Sequence, residues 1–385
     1  MQVLFLSPAF PPTAADFCVA LAKEGVQVLG IGDEPLRPDS AESQVLKHYV
    51  HEPRMGEPRP LHDAVVELIA RFGPIDRVDS NGEHWLPAEA KLRDDFGIAG
   101  LGSAALAQQR SKLGMAALFG GAGLDYPETV SARDATAVRS LAKKHGYPLV
   151  FKPDTGSGAV DTFVVSGDGE LSVALESEPF SKVVQPYIEG TIVTYDGLTD
   201  RDGQIIFSAS HVYDTGIMQV RRQQLDGHYY SLRQIPRELE DAGRRAVSAF
   251  DVRERFFHVE FFHKPDGSLT ALEMNLRPPG GFTTDMMNAA GGVNVYELWA
   301  KVISGQTIDP ISHAPHFFTA HAGRRAQRKY ALSTAGLRNA LGDVLFGERP
   351  IPAAFSDTMG DIAYLVRHPE LEPLLRAVTL VQAPA

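Results

Sequence analysis

The sequence predicts a mixed α/β and α+β protein: a Rossmann-like parallel-sheet unit followed by a small and a larger α+β lobe. Three observations carry this reading. Strand and helix patterns alternate through the first hundred residues, which argues for a parallel sheet covered on both faces. A strand ending at Lys152 runs directly into the glycine and serine loop Thr155-Gly156-Ser157-Gly158. An apolar strand over residues 256–262, broken only by Glu260, turns at Asp266-Gly267 into a return strand over residues 269–277.

The elements follow in order. Residues 3–6 are a short apolar strand that meets Pro8 at once and has no basic segment before it, so they read as a first strand and not as a secretory leader. Residues 14–23 have helical spacing and stop at Gly25; residues 26–31 form a second strand. Residues 61–71 form an amphipathic helix closed by Gly73-Pro74, followed by a strand at 75–78 and a helix at 85–96. The turn after the first strand, Ser7-Pro8-Ala9-Phe10-Pro11-Pro12, has no Gly-x-Gly-x-x-Gly, and its prolines lack the N–H groups a pyrophosphate needs. The sheet is therefore expected to hold no nucleotide and to help build a substrate cleft. Glu83 reads as a solvated loop acid, or as an acid pointing into that cleft.

Residues 104–125 suit a helical connection carrying Lys112. Residues 126–190 suit a small lobe in the order strand, helix (135–145), strand, loop, strand, helix, strand. Asp202-Gly203 marks a hairpin between residues 192–199 and 204–211, and helices are expected at 237–250 and 295–303. In the tail, residues 317–321 read as a strand. The basic run Gly323-Arg324-Arg325-Ala326-Gln327-Arg328-Lys329 reads as a solvated charged face, or as one that meets an anionic substrate group. Arg221-Arg222 is expected between two strands, with the same choice between solvent and the cleft.

Four features of the middle of the chain bear on chemistry. Lys112 is a lysine in a helical connection. Lys152 precedes a glycine loop, and glycine lets backbone N–H groups approach phosphate oxygens closely beside a cation. It is not a Walker A loop, because the lysine comes before the glycines. Val183-Val184-Gln185-Pro186-Tyr187-Ile188-Glu189-Gly190 is a strand ended by proline, leaving backbone groups without strand partners and free to meet the edge of a purine. On the return strand, Glu273, Asn275 and Arg277 share one face, and a hairpin brings Glu260 beside them. Two carboxylates on an apolar strand pair require compensation. Arg277 could supply it as an ion pair, but two carboxylates and an amide oxygen are also hard ligands that suit Mg²⁺.

Taken in this order, lysine, lysine with glycine loop, hinge, then Glu and Glu-x-Asn-x-Arg, residues 1 to 310 resemble the ATP-grasp superfamily, in its amino-acid and peptide ligase branch. The resemblance implies an N-terminal pre-ATP-grasp domain (1–103), a connector (104–125), a small lid lobe (126–190), a large lobe with the metal site (191–310) and a C-terminal extension packed on it (311–385). It implies that Lys112, Lys152, Gly156, Ser157 and Gly158 contact ATP phosphates, and that Gln185 and Ile188 read adenine through the main chain. Glu189 is implied as a substitute for the ribose-binding acid, because Ile192 stands where that acid is usual. Glu260, Glu273 and Asn275 are implied as Mg²⁺ ligands for two ions, with Mn²⁺ able to substitute. Arg277 is implied as the catalytic arginine at the acyl phosphate, and Arg277, Gly280 and Gly281 as substrate-binding. The activity implied is an ADP-forming carbon–nitrogen ligase joining a carboxylate to an amine of small metabolites, amino acids foremost, through an acyl phosphate. An ATP-grasp carboxylase or formate-using transferase and an ATP-binding regulatory protein are the alternatives.

Composition narrows the partners. At 385 residues, 44% apolar and 22% charged, the chain fits two to three globular domains at roughly 150 residues each. Acidic residues exceed basic ones, 48 to 37, which disfavours a nucleic-acid partner. The one cysteine, Cys18, excludes an internal disulfide and reads as a helical core residue. The thirteen histidines form no His-x₃-His pair on a helix. No apolar run approaches the roughly 20 residues of a membrane span. A cytoplasmic protein is expected, with a homodimer as the family-level expectation.

Overall fold

A computed structural model describes residues 1–156, 158, 160–177, 181–214, 216–311 and 315–385. The described strands form three sheets. The first contains β1 (Gln2–Leu6), β2 (Gln27–Gly32), β3 (His48–His51) and β4 (Arg77–Asp79), in the order β3-β2-β1-β4 with every pair parallel. β1 is buried along its whole length, the pattern of a strand covered on both faces. The helix Ala14–Lys23 buries Phe17, Cys18 and Leu21 on one side, and Pro58–Phe72 buries Leu61, Val65 and Leu68 on the other. β3 was not evident in the sequence: it is a four-residue edge strand with no fully buried position.

The second sheet holds β5 (Val130–Ser131), β6 (Leu149–Pro153), β7 (Phe163–Val165) and β8 (Lys182–Pro186), antiparallel in the order β5-β8-β6-β7. The helix Ala135–His145, capped by the Asp134 carboxylate on the Ala137 N–H, packs Val138 and Leu141 into its core.

The third sheet has nine strands: β9 (Thr191–Thr199), β10 (Ile205–Ala209), β11 (His211–Tyr213), β12 (His228–Ser231), β13 (Phe256–His263), β14 (Leu269–Asn275), β15 (Phe318–Arg324), β16 (Leu345–Pro350) and β17 (Ile362–His368). The main path runs β14-β13-β9-β11-β12-β15-β17-β16, with β10 on β9, and all pairs are antiparallel. The tail thus extends the large sheet itself. Helix Arg237–Ala249 lies against this sheet, with Leu239, Ala246 and Val247 in a core shared with Tyr195 and Phe257.

The first and third sheets share a core. Phe17 meets Phe256, Tyr296 and Trp299 edge-on, with ring centroids 4.8 to 5.8 Å apart. One sequence expectation is corrected in part here. The basic run in the tail is solvated over residues 326–329, but Arg324 and Arg325 are only 6% and 5% exposed. Arg324 donates to the Val381 and Leu332 carbonyls, and Arg325 to those of Leu225, Ser356 and Asp357. Buried guanidiniums can bridge loops because five N–H donors satisfy several carbonyls at once. Arg221-Arg222 lies between two strands as expected, β11 and β12, on the helix Ile217–Gln223.

Candidate active site

The register of the large sheet assembles a polar stripe inside an apolar sheet. On β13 and β14, Glu260 sits opposite Glu273 and His258 opposite Asn275; on β9, Thr194 and Asp196 face Glu260 and His258. Cross-strand partners share a face, so six polar side chains line one surface. Thr194, Asp196, His258 and Asn275 are buried.

The stripe is ordered by charge. His258 Nδ1 lies 2.5 Å from Asp196, and its Nε2 lies 3.1 Å from Glu260. The other Asp196 oxygen meets His211 Nδ1 at 2.7 Å and accepts from Thr194 Oγ1 at 2.6 Å. Burial opposes ionisation of Asp196, yet His258 and His211 hold its carboxyl well below the usual carboxylate range. Burial likewise opposes charge on His258, but Asp196 and Glu260 lift the imidazole to about 9. A folded-state value raised above the ordinary 6.5 contributes stability that is complete below that value and is lost as pH rises through about 9. The melting temperature of the wild-type chain should therefore fall across that alkaline window, and His258→Gln should flatten the profile. Parallel profiles for the two proteins would show that His258 is neutral at the start.

Glu273 is in the reverse situation. Burial raises its carboxyl and Glu260 adds to the rise, against the pull of Lys112 and Lys152. Lys112 Nζ lies 3.8 Å from Glu273 and donates to the Gly156 carbonyl at 3.1 Å. Lys112 is held there by its own helix start: Ser111 caps the helix Lys112–Gly121, and Ser111 Oγ and the Leu113 N–H donate to Asp154, beside the glycine loop. Lys152, on β6, is buried; burial and then the charge of Lys112 lower its ammonium to about 8. Two buried lysines beside two opposed carboxylates put both signs of charge into one site, which suits an anionic ligand together with a cation.

Among the described residues no three His, Cys, Asp or Glu side chains converge to hold a metal unaided. Glu260, Glu273 and Asn275 offer two carboxylates and an amide, and the Asn275 amide nitrogen is buried without a partner. This hard, incomplete oxygen set fits Mg²⁺, which usually keeps several water or phosphate ligands.

Arg277 does not compensate the two acids of the hairpin. Its Nε lies 3.4 Å from Glu83, which also accepts from Arg110 Nε at 3.0 Å. Glu83 is thus not a solvated loop acid. It is 20% exposed, and its loop after β4 brings it into the cleft between two arginines. A cavity of about 540 Å³ opens here, within the usual range for small-molecule sites. Glu83, Gly156, Gly158, His258, Glu260, Arg277, Gly280 and Gly281 all line it.

The remaining sequence candidates lie apart from this cavity. Gln185 is buried on β8, its side chain donating to Thr129 Oγ1 at 2.7 Å, and Ile188 and Glu189 follow the end of that strand. Ser157 lies outside the described residues. Sequence reasoning passed over Asp196, His258, His211, Arg110 and Arg255. The signal for Asp196 was present, as one acid inside the apolar run Thr191–Thr199.

A 97% share of this chain superimposes on 95% of an L-amino acid ligase from Bacillus licheniformis, with a TM-score of 0.75 at 16% identity. The chain has the ATP-grasp fold. A second solved structure with this ATP-grasp fold is the biotin carboxylase domain dimer of 2-oxoglutarate carboxylase from Hydrogenobacter thermophilus, in complex with MgADP and bicarbonate. It matches with a TM-score of 0.70 at 16% identity, over 97% of this chain and 88% of that one. In sequence, an L-arginine-specific L-amino acid ligase from Bacillus subtilis is 23% identical over 267 residues, 65% of this chain. The match spans 64% of that ligase, less than two thirds of its length. No family model matches the chain. Among the described residues no helix is long and apolar enough to cross a membrane.

Proposed function

We propose that this chain is an ATP-dependent, ADP-forming ligase that joins the carboxylate of one small metabolite to the amine of another, amino acids being the class that its relatives favour. The observation that carries this reading is the Glu260–Glu273 pair with Asn275. It is flanked by Lys112 and Lys152 and lies next to a cavity that Arg277 lines.

A free carboxylate does not acylate an amine at neutral pH, because oxide is a poor leaving group. In the proposed reaction a carboxylate oxygen attacks the γ-phosphorus of ATP and the bond to the β-γ bridging oxygen breaks, giving an acyl phosphate and ADP. The amine then attacks the acyl carbon and phosphate departs with the electron pair of the acyl–oxygen bond. The protein's work is positioning and charge neutralisation. Lys112 and Lys152 carry the charge that meets phosphate oxygens, and the glycines of the loop let N–H groups approach them. Gln185 and Ile188 would hold adenine at the end of β8, with Glu189 near the ribose. Glu260, Glu273 and Asn275 would hold Mg²⁺, which when bound draws negative charge from the phosphate oxygens. Arg277, paired with Glu83 and lining the cavity, would meet the substrate carboxylate and offset the charge of the acyl phosphate.

The test is ADP release from the full-length protein with ATP, Mg²⁺ and pairs of amino acids, with the product identified by mass. Release that requires both an acid and an amine is expected; release driven by bicarbonate or formate would overturn the reading. Arg277→Ala should keep ADP affinity and lose product formation. Loss of ADP binding instead would make Arg277 a structural residue.

A further inference from the structure

We propose that the acid taken by this cavity carries a bulky apolar side chain, seated against Phe10, Phe355 and Met359. This rests on the ligase reading and deepens it. The cavity lining is of two unlike kinds. One is the charged set already described, with Glu260 and Arg277. The other is an apolar wall of Phe10, from the loop after β1, and of Phe355 and Met359, from the short helix Ala353–Met359 in the tail. Phe10 and Phe355 stack with centroids 5.4 Å apart and planes at 23°. All three side chains are only half-buried, so each leaves apolar surface in the cavity for a ligand to cover.

Met359 makes this wall adaptable. Gly281, at φ +66, has no side chain, and a Cβ built there would stand 2.1 Å from Met359 Cε. The glycine therefore leaves room for a flexible thioether that can follow the shape of a large side chain.

The charges on the lining argue against a basic side chain. Both acids that line the cavity are engaged: Glu83 by Arg110 and Arg277, and Glu260 by His258. His228 and His321 also line it; burial lowers both imidazoles, that of His321 to about 4. A guanidinium set against the apolar wall would lose its hydration, and neither acid of the lining is free to pair with it. Asn81 lines the cavity next to the Glu83 loop, and its amide nitrogen is buried without a partner. The polar head of an amino acid beside Arg277 would supply that partner.

The test is calorimetric titration of the full-length protein, with ADP and Mg²⁺ present, using L-phenylalanine, L-leucine, L-methionine, glycine and L-arginine. The large apolar amino acids should bind at least about tenfold more tightly than glycine, the expected gain from burying such a side chain. Phe355→Ala should remove about that tenfold advantage and leave glycine binding as it was. Met359→Ala, on the far turn of the same helix, provides the same comparison if the first variant does not fold. Arginine or glycine binding as tightly as phenylalanine, or no amino acid binding at all, overturns the proposal. Acid-dependent ADP release is read separately. Tight phenylalanine binding with no release would refute the ligase reading and leave the pocket assignment standing. Release driven best by arginine would do the reverse.

Discussion

Glu273→Gln is expected to lower acid-dependent ADP release by more than about 100-fold while leaving the melting temperature unchanged or higher. Loss of a partner that only supports a metal ligand costs about 10- to 100-fold, so loss of a ligand itself should exceed that. The stability half of the prediction comes from the raised carboxyl of Glu273. Burial and the opposed Glu260 make its charge unfavourable in the folded chain, and a neutral isostere removes that cost. Lys112 loses a partner at 3.8 Å but keeps the Gly156 carbonyl. Activity assays and thermal melts on one preparation check both halves. A destabilised variant would show that the carboxylate serves as a structural partner for Lys112, and near-normal turnover would remove it from the metal site.

Arg255→Met is expected to destabilise the protein by about 3–5 kcal/mol, the range for removing one partner of a buried ion pair. Arg255, 7% exposed, lies 2.9 Å from Glu89 and 3.7 Å from Asp79, and donates to the Leu276 carbonyl at 3.0 Å. Glu89 also pairs with Arg93 at 3.0 Å and accepts from Ser80. Burial and the charge of Glu89 already push Asp79 up to about 6, against Arg255, Arg93 and Arg77. Without Arg255 the two acids keep too little positive charge between them. Urea unfolding should show a lower midpoint, and Glu89→Gln in the same chain should restore part of the loss, because the two residues are directly coupled. A double variant as unstable as the sum of the singles would place the effect elsewhere. Activity should fall as well, since Leu276 precedes Arg277.

The sequence was most readable where local pattern and tertiary role agree. Ala135–His145 and Val295–Ile303 were expected at the bounds observed, because apolar spacing and a capping Asp or Asn mark them. The strand–helix alternation forecast the parallel sheet, and the Asp266-Gly267 turn forecast the hairpin that pairs Glu260 with Glu273. Long-range partners were not readable. Nothing local says that Glu83 will meet Arg277, nearly two hundred residues away, or that Arg255 will meet Glu89. The burial of Arg324 and Arg325 was hidden for a related reason: their partners are mostly backbone carbonyls, which carry no residue identity.

The buried cluster of Arg255, Glu89, Asp79 and Arg93 also bears on engineering. It joins the opening third of the polypeptide to the strand pair that carries Glu260 and Glu273. A chimera that transplants only the first hundred residues from another enzyme would import foreign carboxylates opposite a native guanidinium, or leave that guanidinium stranded. Recombination designs for this scaffold should therefore treat position 255 as part of the N-terminal module and move it with the donor sequence.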